Sequence, residues 1–186
     1  MTRIGLRAFG RADLPLLAAW LAHEHVARWW PMRETTVAAL DAYYGPAIDG
    51  LDPTVLYLAL ADEVPVGFVE TYRHADHPDW DRAVGIPGVA GIDYLIGEAG
   101  RCGRGLGTAV VGALCGRVFE LFPDVSGIVS APQAANHASC RVLEKNGFRL
   151  VAVRELDSED PGDAGPSAVY LWERRQARPV SGTGRA

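Results

Sequence analysis

A glycine-rich segment between a strand and a helix is the feature that most constrains how this chain folds. The segment RCGRGLGT spans positions 101–108 and carries glycine at three alternate positions, Gly103, Gly105 and Gly107. An apolar run, VAGIDYLIG, lies before it, and a longer one, AVVGALCGRVFELF, follows it. Glycine permits positive φ, and the first backbone N–H groups of a helix have no partner within it. The pattern therefore predicts a loop that presents N–H groups to a phosphate.

Two familiar phosphate-binding motifs fit this segment poorly. A P-loop ends in Gly-Lys-Ser/Thr, whereas here Gly107 is followed directly by Thr108. A dinucleotide-binding G-x-G-x-x-G counted from Gly103 meets Thr108 at its last position, and that motif belongs after an early first strand. A plain glycine-rich turn before a helix stays open as the alternative.

The rest of the chain alternates between strand and helix patterns. Before the glycine segment we expect a strand (TRIGLRAF), a helix (RADLPLLAAWLAHEHVARWW), a second helix interrupted near Gly45-Pro46, a hairpin around Asp62-Glu63, and a long exposed loop from His74 to Gly88. After it we expect a helix, a strand (SGIVSAP), a helix that stops at Gly147, and two strands, RLVAVREL and SAVYLWER. The pattern predicts one domain over residues 1–173 and a disordered tail over residues 174–186.

Composition narrows the classes of function. The 186 residues are 48% hydrophobic and 22% charged, with a net charge of −5, which argues against a duplex nucleic-acid partner. No apolar run reaches the ~18 residues of a membrane span. The start of the chain lacks the apolar core of a signal peptide, so we expect a cytoplasmic protein. The three cysteines, at positions 102, 115 and 140, have no zinc-type spacing and are expected to be reduced thiols.

The order of these pieces resembles the acetyl-CoA core of the GNAT N-acetyltransferase superfamily, and within it the aminoglycoside 6′-N-acetyltransferases. The motifs that carry the resemblance are VARWWPM, PGVAGIDYLIG, GRGLGT, LEKNGF and GPSAVYLWERR, which span nearly the whole chain. The resemblance implies an α+β (α/β three-layer) GNAT fold, with a mixed central sheet of about seven strands flanked by about four helices. It also implies acetyl-CoA as co-substrate, held by Tyr94, Leu95, Ile96, Arg101, Gly103, Arg104, Gly105, Gly107, Thr108 and Asn136. The family pattern has Arg or Gln where this chain has Cys102.

Asp93 is the candidate catalytic residue. It stands alone in the apolar stretch IDYLI. Burying a carboxylate costs free energy unless it is paired or hydrogen-bonded, so its presence there suggests a function. An alkyl ammonium, with a pKa of about 10.4, must lose a proton before it can accept an acetyl group. By resemblance Asp93 occupies the position of the catalytic aspartate. Because a carboxylate is a weak base, we expect it to orient the ammonium and to relay the proton through water. A structural aspartate is the alternative.

Three further positions bear on the reaction. The oxyanion needs a donor, which by resemblance is the backbone N–H of Leu95 or a neighbour. Many family members place a tyrosine on the last helix to protonate the leaving thiolate, and Leu143 stands there in this chain. Asn136 is either a plain helix cap or, by resemblance, a residue that helps to hold the pantetheine arm.

Carboxylates and tryptophans suit a polycationic sugar, because carboxylates bind ammonium groups and ring faces bind C–H surfaces. The candidates are Trp29, Trp30, Glu70, Asp76, Asp79 and Trp80, together with Asp93. The alternative is that the loop charges are only solvated. Because adjacent residues of a helix point different ways, we expect only one of Trp29 and Trp30 to face a ligand. The histidines and aspartates of HADHPDWD lack a closed metal spacing, so no metal is expected.

The sequence thus predicts an acetyl-CoA-dependent N-acetyltransferase that acts on a primary amine of a small polycationic molecule, with the 6′-amine of an aminoglycoside as first choice and antibiotic resistance as the implied role. One departure from the family is Ala131, where the resemblance implies an acidic residue. Acylation of lysine or of a siderophore precursor is an alternative, although that branch tends to carry histidine at the position of Asp93. A non-catalytic acyl-CoA-binding domain is a further alternative. We expect a small-molecule amine as partner, no nucleic acid and no membrane, and a monomer or a homodimer.

Overall fold

The fold is built on one mixed sheet of seven strands, as expected. The computed structural model describes residues 2–158, 162 and 164–174. Within them the strands run in the order β1-β2-β3-β4-β5-β7-β6, and only β4 and β5 pair in parallel. The strands are β1 (Ile4–Ala8), β2 (Val55–Ala61), β3 (Val64–Arg73), β4 (Val89–Ile96), β5 (Gly127–Ser130), β6 (Arg149–Arg154) and β7 (Ser167–Glu173). The β2–β3 hairpin turns at Asp62 and Glu63, both with positive φ.

The described residues form six α-helices, where about four were expected. They are α1 (Leu14–Leu21), α2 (Glu24–Ala27), α3 (Val37–Ile48), α4 (Pro78–Val84), α5 (Leu106–Leu121) and α6 (His137–Lys145). One addition arises because the expected first helix breaks at Ala22-His23 and leaves α2 as a single turn. The predicted tail lies outside the described residues except for Arg174.

The other addition, α4, overturns the prediction of a long exposed loop from His74 to Gly88. A 3-10 turn, His74–Asp76, leads into α4, which begins at Pro78 and ends at Val84, directly before Gly85 with φ +67°. Proline at the first position and a left-handed glycine just past the last one are ordinary helix boundaries. Asp79 and Arg82 lie on the exposed face of this short helix, whereas His74, just before it, is buried.

Helix α3 corrects a second prediction, because it continues through Pro46 to Ile48. Thr36 caps its start, where the side chain accepts a hydrogen bond from the N–H of Ala39. Pro46 lacks an N–H and so removes one helix hydrogen bond, and the helix ends two residues later at Ile48.

The two faces of the sheet bury separate cores. One core packs α5 and α6 against the sheet and includes Ile92, Leu114 and Leu143. The other packs α1 and α3 against the opposite face and includes Phe68 and Leu95. Alternation along β4 therefore sends even-numbered side chains toward α5 and α6, and odd-numbered ones toward α1 and α3.

Strands β4 and β5 diverge in the middle of the sheet. They pair only over Val89–Gly91 and Gly127–Val129, whereas β4 runs on to Ile96. Among the described residues, the edge of β4 beyond Gly91 therefore has no strand partner on the β5 side. This opening connects the two faces of the sheet.

Candidate active site

A cleft of about 1450 Å³ lies where β4 and β5 diverge. Strand β4 lines it through Asp93, Tyr94, Leu95 and Ile96. The glycine loop and α6 line it from one side, and the segment after α2 together with β3 and α3 lines it from the other. The divergence of two strands thus brings the predicted phosphate-binding loop and the predicted catalytic aspartate to one cavity.

Asp93 is held by residues of the neighbouring strand. It lies directly opposite Glu70 in the β3–β4 register, and its Oδ2 accepts a hydrogen bond of 3.0 Å from the hydroxyl of Tyr72. The ring of Tyr72 occupies the space over Gly91, where an added Cβ would lie 2.5 Å from ring carbons. The pair of strands therefore presents two carboxylates and a tyrosine on one face. Tyr72 was missed from the sequence, although it stands two residues after Glu70 on an alternating strand.

A second group of polar residues lies beside Tyr72. The ring of His77 meets the Tyr72 ring edge-on at 5.0 Å, and its Nε2 lies 3.4 Å from the hydroxyl of Thr54. Asp52 lines the cleft here and accepts a 2.8 Å hydrogen bond from the N–H of Thr54. Burial tends to raise the pKa of Asp52, but the hydrogen bonds from Thr54 and the charge of His77 outweigh it and lower that pKa. Asp52 is therefore a further carboxylate of the cleft beside Glu70 and Asp93, and sequence reasoning missed it.

The free edge of β4 offers backbone donors. The N–H of Gly97 donates to the carbonyl of Val66 on the β3 side at 2.9 Å. Because antiparallel pairing alternates, the N–H of Leu95 also points toward β3, and those of Tyr94 and Ile96 point toward the opening. The neighbours of Leu95, rather than Leu95 itself, are thus the available donors.

Two histidines hold the carboxyl end of β4. His25 Nε2 lies 3.0 Å from the carbonyl oxygen of Ile96, and His23 Nδ1 lies 2.7 Å from that of Gly97. A carbonyl oxygen only accepts, so each of these ring nitrogens carries the proton. The two rings stack at 5.7 Å, and His25 lines the cleft.

The predicted acceptor-side residues divide into two groups. Glu70, Trp80, Trp29 and Trp30 line the cleft with Asp93. Asp76 and Asp79 do not line it: both are exposed, and Asp79, with its side chain 92% exposed, pairs with Arg82. The physical reason is the helix α4, which turns Asp79 to solvent.

The expectation that only one of Trp29 and Trp30 faces the cleft is wrong. Helix α2 ends at Ala27, so the two residues follow it in non-helical backbone. Trp30 packs against Phe68 in the core, and Arg28 lies over the ring of Trp29. Both rings nevertheless line the cleft.

The glycine loop forms the opposite end of the cleft. Gly103 and Gly105 have φ of +72° and +81°, and α5 begins at Leu106. The N–H groups of the first turn have no partner within the helix and are available to an anion. Gly103, Gly105, Gly107 and Thr108 line the cleft. Arg101 and Arg104 are exposed on the same loop and do not line it.

Helix α6 contributes its first turn. Asn136 caps the helix, with its side chain accepting a 3.2 Å hydrogen bond from the N–H of Ser139, and it also lines the cleft. Ala131, just after β5, lines the cleft as well. Leu143 is wholly buried in the core. Its position therefore gives the cleft no polar group.

The described residues show three free cysteines, with Cys115 and Cys140 buried and Cys102 exposed at the cleft. Across residues 2–158, 162 and 164–174, no group of three or more histidine, cysteine or acidic side chains could hold a metal ion. The helices of that same part of the chain are all too short or too polar to cross a membrane.

Comparisons with known proteins agree with this geometry. The aminoglycoside N(6′)-acetyltransferase type 1 of Klebsiella pneumoniae is 33% identical over 177 residues, which cover 94% of this chain and 84% of that protein. A kanamycin resistance protein of Rhizobium radiobacter is 40% identical over 91 residues, 49% of this chain and 77% of that protein. The crystal structure of aminoglycoside acetyltransferase AAC(6′)-Ib with coenzyme A matches with a TM-score of 0.79 at 30% identity, over 92% of this chain and 95% of that one. A profile of the acetyltransferase (GNAT) domain matches residues 10–156. The chain therefore belongs to the GNAT family of acetyltransferases.

Proposed function

We propose that this protein transfers an acetyl group from acetyl-CoA to the 6′-amine of an aminoglycoside. The observation that carries the proposal is the cleft itself, which joins the glycine loop to four carboxylates, those of Asp52, Glu70 and Asp93 and of the exposed Glu34. The relatives support the substrate class, since a structural relative at 29% identity and a TM-score of 0.79 was crystallised with coenzyme A and kanamycin. Its matched region covers 92% of this chain.

The residues of the glycine loop fit the diphosphate of coenzyme A. Gly103 and Gly105 adopt a conformation that favours glycine, and the loop ends at the free N–H groups of α5. Acetyl-CoA supplies the acetyl group as a thioester. Asn136 and the first turn of α6 border the path from the loop to β4.

Asp93 is the residue that handles the amine. A substrate ammonium placed beside Asp93 would be oriented by its carboxylate, which Tyr72 holds in place. A carboxylate with a pKa near 4 takes a proton from an ammonium with difficulty, so we assign to Asp93 orientation and the relay of that proton through water. Glu70, directly opposite in the register, adds a second negative charge to the same face.

The charge that develops on the acetyl oxygen needs a donor from the protein. The N–H groups of Tyr94 and Ile96 point into the opening between β4 and β5 and would supply it. His25 and His23 fix the carbonyls at the end of the strand and thereby fix the direction of these N–H groups.

The proposal extends to the cellular compartment and the oligomeric state of the protein. We place it in the cytoplasm, where acetyl-CoA is available. A monomer or a homodimer is expected, and light scattering with size-exclusion chromatography would tell the two apart.

The test is thiol release from acetyl-CoA by the purified protein with a panel of amines. The panel holds kanamycin and ribostamycin, then lysine, hydroxylysine, polyamines and peptides. We expect turnover of the aminoglycosides, with mass spectrometry placing one acetyl group on the 6′-amine. Turnover of lysine-type amines alone would keep the family and replace the substrate. Coenzyme A binding without transfer to any amine would instead identify an acyl-CoA-binding domain.

A further inference from the structure

Asp93 and Tyr94 are adjacent in β4, and their side chains point to opposite faces of the sheet. Asp93 faces Tyr72 and Glu70, whereas Tyr94 reaches α6. The Tyr94 hydroxyl lies 2.6 Å from the Ser139 hydroxyl and donates at 3.2 Å to the Ser139 carbonyl. Tyr94 and Ser139 both line the cleft. Asp93 and the hydroxyl pair of Tyr94 and Ser139 thus lie on opposite sides of the same opening.

Acetyl transfer places different demands on these two faces. The amine must be oriented where it attacks, and the sulfur must be accommodated where it leaves with negative charge. A hydroxyl pair suits the second demand, because hydrogen bonds to an ionised acceptor are about twice as strong as neutral ones. The proposed role of Asp93 toward the amine does not require the hydroxyls of Tyr94 and Ser139, which lie on the other face of the sheet.

The environment keeps Tyr94 in its donor form. Burial raises the pKa of the Tyr94 hydroxyl above its ordinary value, and the nearby charge of Asp93 raises it further, although the hydrogen bond with Ser139 lowers it. The hydroxyl is therefore protonated wherever the enzyme works. It follows that the pair donates a hydrogen bond and does not transfer its proton, since a thiolate holds a proton less tightly than a phenol whose pKa is raised by burial.

We propose that the Tyr94–Ser139 hydroxyl pair donates a hydrogen bond to the leaving sulfur of coenzyme A. The inference rests on the proposed function. As the carbon–sulfur bond breaks, its electron pair stays on sulfur, and the new carbon–nitrogen bond completes the amide. Tyr94 gives its single hydrogen to Ser139, as it does in the structure, and the Ser139 hydroxyl turns its own hydrogen toward the sulfur. The thiolate later takes a proton from water, so Tyr94 and Ser139 end the cycle unchanged.

Two cations on α6 are the rival donors. Arg141 and Lys145 line the cleft, but both are exposed and lie further along the helix than Ser139. Their charge suits the phosphates of coenzyme A. Replacing Arg141 or Lys145 would therefore weaken the binding of coenzyme A and of its analogue without sulfur to the same extent.

The experiment is a binding cycle with two ligands and two proteins. Isothermal titration measures coenzyme A and desulfo-coenzyme A against the wild type and Tyr94→Phe at pH 9, where much of the free thiol is ionised. We expect the wild type to prefer coenzyme A by about 10-fold and Tyr94→Phe to show almost no preference. Ser139→Ala is expected to lose most of the preference. Tyr57→Phe, which removes only a bond from Arg117 on another part of the sheet, is the matched control and should keep it.

Absorbance near 240 nm gives a second readout on the same samples. We expect the pKa of the bound coenzyme A thiol to be about one unit lower in the wild type than in Tyr94→Phe. An equal ratio of the two ligands in all proteins would overturn the sulfur contact and leave the proposed function standing. Failure of the wild type to bind either ligand would overturn both. Thermal unfolding of each variant shows that the comparison is made between folded proteins.

Discussion

Tyr72 and Asp93 are joined across neighbouring strands by a hydrogen bond of 3.0 Å from hydroxyl to carboxylate. The bond fixes the orientation of the carboxylate, since the ring of Tyr72 lies over Gly91 and packs edge-on against His77. The face of β4 that carries Asp93 is therefore built together with residues that are distant in the sequence.

Replacing Tyr72 by phenylalanine tests this arrangement. A hydrogen bond to a charged group contributes about 1.5–3 kcal/mol, so Tyr72→Phe should lower kcat by roughly 10-fold to 100-fold. The KM for acetyl-CoA should change little, because the tyrosine faces away from the glycine loop. Steady-state kinetics measures both. A kcat within twofold of the wild type would show that Asp93 needs no such support.

Asp93→Asn keeps the shape of the side chain and removes its charge. We expect kcat to fall by at least about 100-fold, a typical loss for a residue that handles the transferred proton. Calorimetry should show that coenzyme A still binds with the affinity of the wild type. Asp79→Asn is the matched control, because Asp79 is exposed outside the cleft and pairs with Arg82. It should leave both quantities unchanged.

Glu70→Gln separates substrate binding from chemistry. Glu70 adds negative charge beside Asp93, so its loss should raise the KM for kanamycin by roughly threefold to 30-fold, with a smaller effect on kcat. The salt dependence of KM should also weaken, because one attraction is gone. Glu120→Gln, exposed on α5 and paired with Arg117, serves as control. An unchanged KM at low salt would remove Glu70 from the substrate contacts.

Gly97→Ala probes the end of β4. An added Cβ would overlap the indole of Trp20, which is 1% exposed and has no room to move. Overpacking of this kind costs about 1–3 kcal/mol, so Tm should fall by several degrees. Gly100→Ala, where an added Cβ meets nothing within 4 Å, should leave Tm almost unchanged. Equal Tm values for the two variants would contradict the packing described here.

Protonation of His74 should make stability depend on pH. The ring is 0% exposed, and burial lowers its pKa to about 4, although the charge of Asp81 acts in the opposite direction. The unfolded chain, with a histidine pKa near 6.5, binds the proton more readily, so stability falls as the pH drops from about 6.5 to 4.

The size of this effect can be measured by urea unfolding. Between pH 7.5 and pH 5 it should amount to about 2 kcal/mol. His74→Phe, which keeps a ring against Tyr72, should lose this part of the pH dependence. A wild type and variant with parallel pH profiles would show that His74 does not titrate in this range.

The sequence was most informative where the signal is local. The glycine loop could be recognised from Gly103, Gly105 and Gly107, and Asp93 from its isolation in an apolar strand. The strand segments were expected from their local pattern, and the mixed seven-strand sheet that the resemblance implied was confirmed. These features depend on neighbours within a few residues.

The missed features depend on contacts between distant segments. The positions of Tyr72 and Asp52 in the cleft depend on the β3–β4 register and on the loop before β2, which the sequence does not specify locally. Helix α4 was hidden because its composition is that of a loop, and its burial of Ala83 and Val84 is a tertiary effect. The same helix explains why Asp76 and Asp79 lie outside the cleft although they stand next to Trp80 in the chain.

Because Glu70 and Asp93 lie opposite each other, the proposed reaction depends on the register between β3 and β4. A shift of β4 by one residue would exchange the faces of Asp93 and Tyr94, turning the carboxylate toward α6 and the hydroxyl toward the sugar. A single inserted residue within β4 would therefore abolish the reaction even if the sheet still formed. The same insertion between the exposed Gly85 and Gly88 would be absorbed by the turn. An inserted residue is thus expected to be tolerated in the turn that precedes β4 and not within β4 itself.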